Sequence, residues 1–389
     1  MPIKTFLLST FFVALSFFAG ATSYLKINVY NGSAINSATL RVHRGEYVLL
    51  VDGKDDAHFN PGASIHLRAK DGNVVFTRNG QSRTAKGIAI QAQSLDEEFI
   101  LRPANSHLKE HKYQDHLIVK ARGNNLVLVN EVQLDKYVAG VVEAEAGSKH
   151  THEYYKVQSI ISRTYALSNL DRHAANGYNL CDQVHCQVYH GKARFNDSIP
   201  MATKATEDLV LVDQNINLIT AAFSSNCGGK TLNAEDVWSQ PRSYLVSVRD
   251  TFCLVMPNSH WEKRIPKAHW YGFLKKNDFP LDDTTRSEAS FYFPKDKNRY
   301  FSDTTFSIKS SDVRSNFKLR STFFTVQEEG EEMYLIGRGF GHGVGLCQEG
   351  AIRMAELGLP YNEILHYYYT NVHLIDRKNI EFFRSEIER

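Results

Sequence analysis

In the segment 131-EVQLDKYVAGVVEAEAGSKHTHEYYKVQSIISRTYALSNL-170, an apolar patch of Tyr137, Val138, Val141 and Val142 runs into two carboxylates, Glu143 and Glu145. A polar loop, Gly147 to His152, leads into a helical pattern. Val157, Ile160, Ile161, Thr164 and Leu167 recur at i, i+3, i+4, i+7 and i+10, which makes one buried stripe. Thr151 is placed to cap that helix, and Glu153 falls in the first turn, where the helix dipole favours negative charge. Lys156, Ser159 and Arg163 lie off the stripe and are expected to face outward. Glu143 and Glu145 are two residues apart, so a strand would put both on one face and a helix would turn them apart. Either way an acidic pair stands at the mouth of a helix anchored in a core, which is a way to fix a catalytic acid.

Upstream, residues 24–112 alternate like strands, with Leu25–Tyr30, Ala38–Val42, Tyr47–Val51 and Ser64–Arg68 the clearest runs. Turn signals separate the runs: Asn31-Gly32, Asp52-Gly53, Asn60-Pro61-Gly62, Asp71-Gly72 and Asn79-Gly80. The spacing predicts a small all-β module over 24–112, a polar linker at Ser106–Lys112, and a second domain over 113–389. Two further strands, Leu117–Ala121 and Leu126–Asn130, feed the quoted segment. Downstream, a helix is expected from Ile199 to Glu207 capped by Ser198, then a hairpin of Leu209–Val212 with Leu218–Phe223, then a turn at Ser224–Gly229. Residues 254–330 are polar and weakly patterned. A glycine-rich run, 337-GRGFGHGVGLCQEGA-351, precedes a helix from Ala351 to Leu357 and an aromatic helix from Tyr361 to Tyr369. The expected fold class is α+β, a mixed α/β domain behind a small all-β module.

At 389 residues the chain can bury a sizeable core, and two domains, or one large one with appendages, are expected. A net charge of +2 with no basic block argues against a nucleic-acid partner. Lys4, the apolar run Phe6–Phe18 and the small residues Ala19–Ser23 form a signal peptide pattern over 1–23. Cleavage after Ala21 or Ser23 and export to the periplasm or cell envelope are expected, with an uncleaved N-terminal anchor as the alternative. Five cysteines, at 181, 186, 227, 253 and 347, cannot all pair within one exported chain.

The segment also resembles the SpoIID/LytB family of cell-wall proteins, whose pattern is roughly YxxGVVxxEM, a short loop, then EALKAQAxxxRTYAL. Here stand Tyr137, Gly140, Val141, Val142 and Glu145, then Glu153, Lys156, Gln158 and Arg163-Thr164-Tyr165-Ala166-Leu167. The usual Met-Pro after the acid is replaced by Ala146-Gly147. The resemblance runs from about Asp115 to Val372, through His185–Tyr189, Ser224–Gly229 with Thr231, Tyr244-Leu245 before Asp250, and the glycine-rich run. It implies a peptidoglycan lytic transglycosylase acting on glycan strands in wall remodelling or division, with Glu145 as the catalytic glutamate. The rival implied by the same family is a non-catalytic peptidoglycan-binding protein that stimulates a cell-wall amidase.

A carboxyl among Val141, Val142, Ala144 and Ala146 is expected to stay protonated toward neutrality through desolvation, as a general acid requires. Expected to bind substrate around it are Glu143, Arg163, Tyr165, Gln187, Tyr189, Ser224, Ser225, Asn226, His342 and Gln348. The glycines of 337–350 would let backbone approach a glycan, or form a tight turn into a helix. A Ser225, His342 and Asp250 triad can be drawn, but no nucleophile-elbow sequence supports it. Cys181, His185, Cys186 and His190 offer a soft ligand set suited to tetrahedral, structural zinc, which the resemblance permits; a Cys181–Cys186 disulfide is the other reading.

Overall fold

The computed structural model describes residues 24–301 and 308–387, so the expected signal peptide at 1–23 lies outside the described residues. Twelve strands come first: β1 (Tyr24–Val29), β2 (Ser37–Arg44), β3 (Tyr47–Val51), β4 (Lys54–Phe59), β5 (Ser64–Lys70), β6 (Asn73–Arg78), β7 (Gln81–Ala85), β8 (Gly87–Ala92), β9 (Glu98–Pro103), β10 (His111–Gln114), β11 (His116–Arg122) and β12 (Asn125–Gln133). Alternation of buried and exposed positions is cleanest in β5, as a half-buried strand demands. Asp52-Gly53, Asp71-Gly72 and Asn79-Gly80 each hold two consecutive positive φ angles, the conformation of a two-residue hairpin turn. They close β3–β4, β5–β6 and β6–β7, where the turn chemistry placed them.

These strands form two sheets, one ordered β10-β9-β2-β5-β6-β7 and the other β13-β1-β12-β11-β8-β3-β4, where β13 is Leu180–Cys181. β1 pairs along its whole length with β12, and β11 pairs with β8. The boundary expected at 112/113 therefore falls inside a continuous sheet. One hydrophobic core runs from Leu25 to Val372.

β12 passes without a loop into helix α1 (Leu134–Ala146), and α2 (His152–Ser168) follows. Gly140 lets α1 lie against the segment 189–191: a Cβ there would sit 2.1 Å from the Gly191 carbonyl oxygen and 2.7 Å from the Tyr189 ring. Thr151 caps α2, accepting from the Tyr154 N–H at 3.4 Å. The expected stripe of Val157, Ile160, Ile161 and Thr164 is buried, but so are Ser159 and Arg163, which the periodicity had facing outward. The reason is that α2 is enclosed, touching α1, the helices Ser198–Ala205 and Tyr361–Tyr368, and the strand Leu209–Val212. Ser159 meets the Thr203 hydroxyl at 2.9 Å. Arg163 donates to the Asp135 carboxylate (2.8 Å) and to the carbonyls of Thr203 (3.1 Å) and Leu209 (3.2 Å). Lys156 is partly exposed and pairs with Glu153.

Two other expectations change. Leu209–Val212 does not form a hairpin sheet with 218–223; its strand partner is His373–Asp376, and Val212 and Leu218 share a single bridge. The stretch 254–330, polar and weakly patterned in sequence, holds most of a second core. The strands His260–Pro266, Glu332–Arg338, Phe324–Glu329 and Phe291–Tyr292 form its sheet, and Trp270, Phe301, Phe317 and Phe324 pack together over it.

Because Arg163 is fully buried, its loss strands one end of a charge pair and two carbonyls. Arg163→Met should lower the unfolding free energy by about 3 kcal/mol or more, measured by urea denaturation. An unchanged midpoint would return Arg163 to the list of substrate-facing residues.

Candidate active site

α1 is a helix through both carboxylates, so Glu143 and Glu145 diverge. Glu145 projects into a cleft of about 720 Å³ lined also by Tyr165, Arg172, Val184, Cys186, the segment Thr220–Ser225, Trp238, Phe340–His342 and Gln348. Its Oε1 accepts the Val188 N–H at 2.8 Å, and it makes no other protein hydrogen bond among the described residues. Burial raises its pKa above the ordinary glutamate value, and the Val188 N–H opposes that only in part. Glu143 lies in a second cleft of about 710 Å³ with His111, His190 and Arg194. There its Oε2 accepts the N–H groups of Arg194 (2.8 Å) and Phe195 (2.7 Å), which ties down that loop. The pairing of the two carboxylates over one substrate is therefore not what the fold provides.

Of the residues expected around Glu145, the structure brings Tyr165, Ser224, Ser225, His342 and Gln348 to the cleft. Ser224 presents a buried hydroxyl with no hydrogen-bond partner among the described residues. His342 accepts the Val344 N–H on Nδ1 at 3.1 Å, and burial pushes its pKa down to about 4, so it is neutral at physiological pH. Four expected residues serve packing instead. Arg163 is the buried clasp described above. Gln187 is buried beneath the cleft, where its Oε1 accepts from the Tyr137 hydroxyl at 3.3 Å. Tyr189 is buried against Tyr137 and donates to Asn130 at 2.9 Å. Asn226 is buried and donates to Glu349 at 2.6 Å and to the Cys253 carbonyl at 3.0 Å.

Two glycines of 337–350 make room for neighbouring backbone, and Gly341 lines the cleft. Gly345, at φ +72°, would carry a Cβ 2.1 Å from the Ala222 carbonyl oxygen, and Gly339, at φ +82°, one 2.7 Å from that of Asn226. This close approach sets Phe340 and His342 across the cleft from Glu145.

Reasoning from sequence missed Arg172, Trp238 and Phe340 as cleft residues. Arg172 donates to the Tyr165 hydroxyl at 2.6 Å and to the His185 carbonyl. Trp238 and Phe340 are both 42 % exposed, and Trp238 stands 5.3 Å from the His342 ring, so two aromatic faces flank the opening. Exposed aromatics at a polar cleft are the signal for sugar stacking, but which of this chain's many aromatics would be exposed was not visible in its composition.

Beside the cleft, His173, Cys181, His185 and Cys186 bring one ligand atom each to within 4.8 Å of one another. Cys181 and Cys186 are free thiols, Cys181 Sγ lies 3.4 Å from His185 Nδ1, and Cys186 Sγ lies 3.3 Å from His173 Nε2. Two thiols and two imidazoles fit a tetrahedral metal. The fourth position belongs to His173, not His190. The His190 ring instead stacks on His111 at 5.1 Å and 4° in the second cleft.

Glu145→Gln should make the protein more stable near neutral pH and leave it unchanged in acid. With the folded pKa raised, the ionised carboxylate costs stability above that pKa, and the cost vanishes as pH falls below the unfolded value. Chemical denaturation of both proteins across pH 4 to 8 checks this. A difference that is flat with pH would mean Glu145 is not desolvated.

Residues 122–212, which hold α1, Glu145, α2 and the metal-ligand cluster, match the model of the family described as SpoIID, stage II sporulation protein. Stage II sporulation protein D of Bacillus subtilis is 29% identical over 263 residues, 62% of this chain and 74% of that protein. An uncharacterised protein of Brachyspira hyodysenteriae is 29% identical over 285 residues, 70% of this chain and 75% of its own length. The amidase enhancer of Bacillus subtilis is 28% identical over 282 residues, 59% of this chain and 39% of the enhancer. With its acid, loop and capped helix standing where the family's pattern puts them, residues 122–212 are similar to the SpoIID family.

Proposed function

We propose that the protein is a lytic transglycosylase that cuts peptidoglycan glycan strands, with Glu145 as its only catalytic carboxylate. The observation that carries this reading is the isolation of Glu145: desolvated, held at one oxygen by the Val188 N–H, and the one carboxylate among the described residues lining its cleft, while Glu143 faces another. A hydrolase of the two-carboxylate kind needs a second acid opposite the first to activate water. A lytic reaction needs one. The protonated carboxyl gives its proton to the glycosidic oxygen as the C–O bond breaks. The resulting carboxylate takes the proton of the muramoyl 6-hydroxyl as that oxygen bonds to the same carbon, closing a 1,6-anhydro ring. Trp238 and Phe340 offer faces for sugar rings, and neutral His342, Ser225 and Gln348 offer polar contacts along the strand.

Zinc held by His173, Cys181, His185 and Cys186 would have four protein ligands and serve structure. Those residues brace the segment 181–186, which forms one wall of the cleft and leads directly to the Val188 N–H. The reading places the protein outside the cytoplasm, where glycan strands lie, and the leader pattern of residues 1–23 supports export. Among the described residues no helix is long and apolar enough to cross a membrane.

A second reading draws on the Bacillus subtilis relative named amidase enhancer: the cleft would bind glycan without cutting it and present it to a cell-wall amidase. One variant separates the two. Glu145→Gln keeps the shape of the cleft and should slow glycan cleavage by about 10²–10⁴-fold while strand binding persists. Full cleavage by the variant would remove Glu145 from the chemistry. No cleavage by the unaltered protein, with amidase stimulation equal in both, would establish the enhancer reading instead. Trp238→Ala should weaken strand binding with less effect on the turnover of bound strands, read as a rise in KM; an unchanged KM would remove the stacking role.

A further inference from the structure

Behind the opposite wall of the cleft lies another ligand set, drawn from three distant stretches of chain. Cys227 lies two residues after Ser225, Asp250 precedes the short helical turn Phe252–Val255 that contains Cys253, and Cys347 immediately precedes Gln348. All four residues are buried, and their ligand atoms lie within 4.8 Å of one another. The three cysteines are free thiols. Cys227 Sγ is 3.6 Å from Cys253 Sγ and 3.3 Å from Asp250 Oδ2. Tetrahedral zinc with bonds of about 2.3 Å to sulfur sets its sulfurs about 3.8 Å apart, so this spacing is that of ligands around one ion.

We infer that Cys227, Asp250, Cys253 and Cys347 form a second metal site, a closed tetrahedral zinc centre with three thiolates and one carboxylate. The surroundings are built for it. Cys347 Sγ accepts the N–H groups of Cys227 (3.2 Å) and Gly350 (3.4 Å), which stabilise a thiolate. Asp250 Oδ2 accepts the Tyr368 hydroxyl at 3.0 Å, and Oδ1 accepts the N–H groups of Phe252 (2.9 Å) and Cys253 (3.2 Å), which orient the carboxylate. A Cβ on Gly350 would stand 2.3 Å from Asp250 Oδ2, so glycine is what lets the helix Gln348–Glu356 begin against the cluster. The ionised Asp250 carboxylate, buried beside three thiols, would be costly without a cation. With Zn²⁺ and three deprotonated thiols the site carries two negative charges. Lys297 brings a positive one nearby, donating to the carbonyls of Cys227 and Lys230.

The centre joins the turn after Ser224-Ser225 to the start of the helix bearing Gln348, so it would fix the wall that faces Glu145. It also resolves the odd cysteine count: two thiols serve the site at His173 and three serve this one.

The test is the zinc content of the full chain, purified without added metal and freed of loosely held ions by brief chelation and gel filtration. His173 and His185 reach the surface, so H173A/H185A weakens the other site without disturbing the core. That variant should keep one equivalent of zinc, and adding C253S should remove it. Cobalt exchanged into H173A/H185A should show the charge-transfer intensity of three thiolates, a readout that does not depend on the triple variant folding. No zinc in H173A/H185A, zinc surviving C253S, a two-thiolate cobalt spectrum, or a disulfide from Cys227 to Cys253 or Cys347 in unreduced peptide maps would each overturn the site.

Discussion

The arrangement depends on one close contact, where α1 crosses the chain at 189–191. A helix carries its catalytic carboxylate usefully only if something fixes both the helix and the group its carboxylate meets. Gly140 does this by removing the one Cβ that would hold the Gly191 carbonyl away. The contact brings Val188 close enough for its N–H to reach Glu145 and buries the carboxylate enough to raise its pKa. The helical period turns Glu143 away from Glu145, to where backbone N–H groups satisfy it. The helix thus separates two nearby acids into a catalytic candidate and a loop anchor, and the glycine contact seats the first.

Local chemistry was the legible part of the fold. Hairpin turns at Asp52-Gly53, Asp71-Gly72 and Asn79-Gly80 need consecutive positive φ angles, and the residues that tolerate them announce the turns directly. The cap at Thr151 and the α2 stripe were readable for the same reason, because a helix writes its own period into neighbouring positions. What failed was everything decided by distant chain. Arg163 is charged and off the stripe, and nothing nearby in sequence says that Asp135, Thr203 and Leu209 will enclose it. The pairing of β1 with β12 joins residues a hundred positions apart, so a boundary drawn from composition at 112 cut through a sheet. The second core was hidden because its hydrophobic residues come from short elements spread across 261–335, with no period long enough to read.

The candidate site divides along the same line. Glu145, Tyr165, Ser224, Ser225, His342 and Gln348 could be placed by motif, and the fold gathers them around one cleft. Gln187, Tyr189 and Asn226 belong to the same motifs but support the site from beneath, a distinction set by burial that no motif records. The candidate metal ligands show it most plainly. Cys181, His185 and Cys186 are close in sequence and were found together, whereas His173 enters from the turn after α2 and displaces the nearer His190. Cys227, Asp250, Cys253 and Cys347 span more than a hundred residues and were invisible as a set.

The two ligand clusters stand on opposite sides of the Glu145 cleft, one beside the 181–186 wall and one behind the wall of Ser224, Ser225 and Gln348. A cleft braced in this way suits a reaction in which a sugar hydroxyl, and not water, must reach the breaking bond, because that selectivity depends on position. The direct test is to let the purified protein cut glycan strands in heavy-oxygen water and to weigh the products. A lone acid acting through the muramoyl 6-hydroxyl gives 1,6-anhydro ends that carry no label. Reducing ends that carry heavy oxygen would show that water is the nucleophile and would contradict the account.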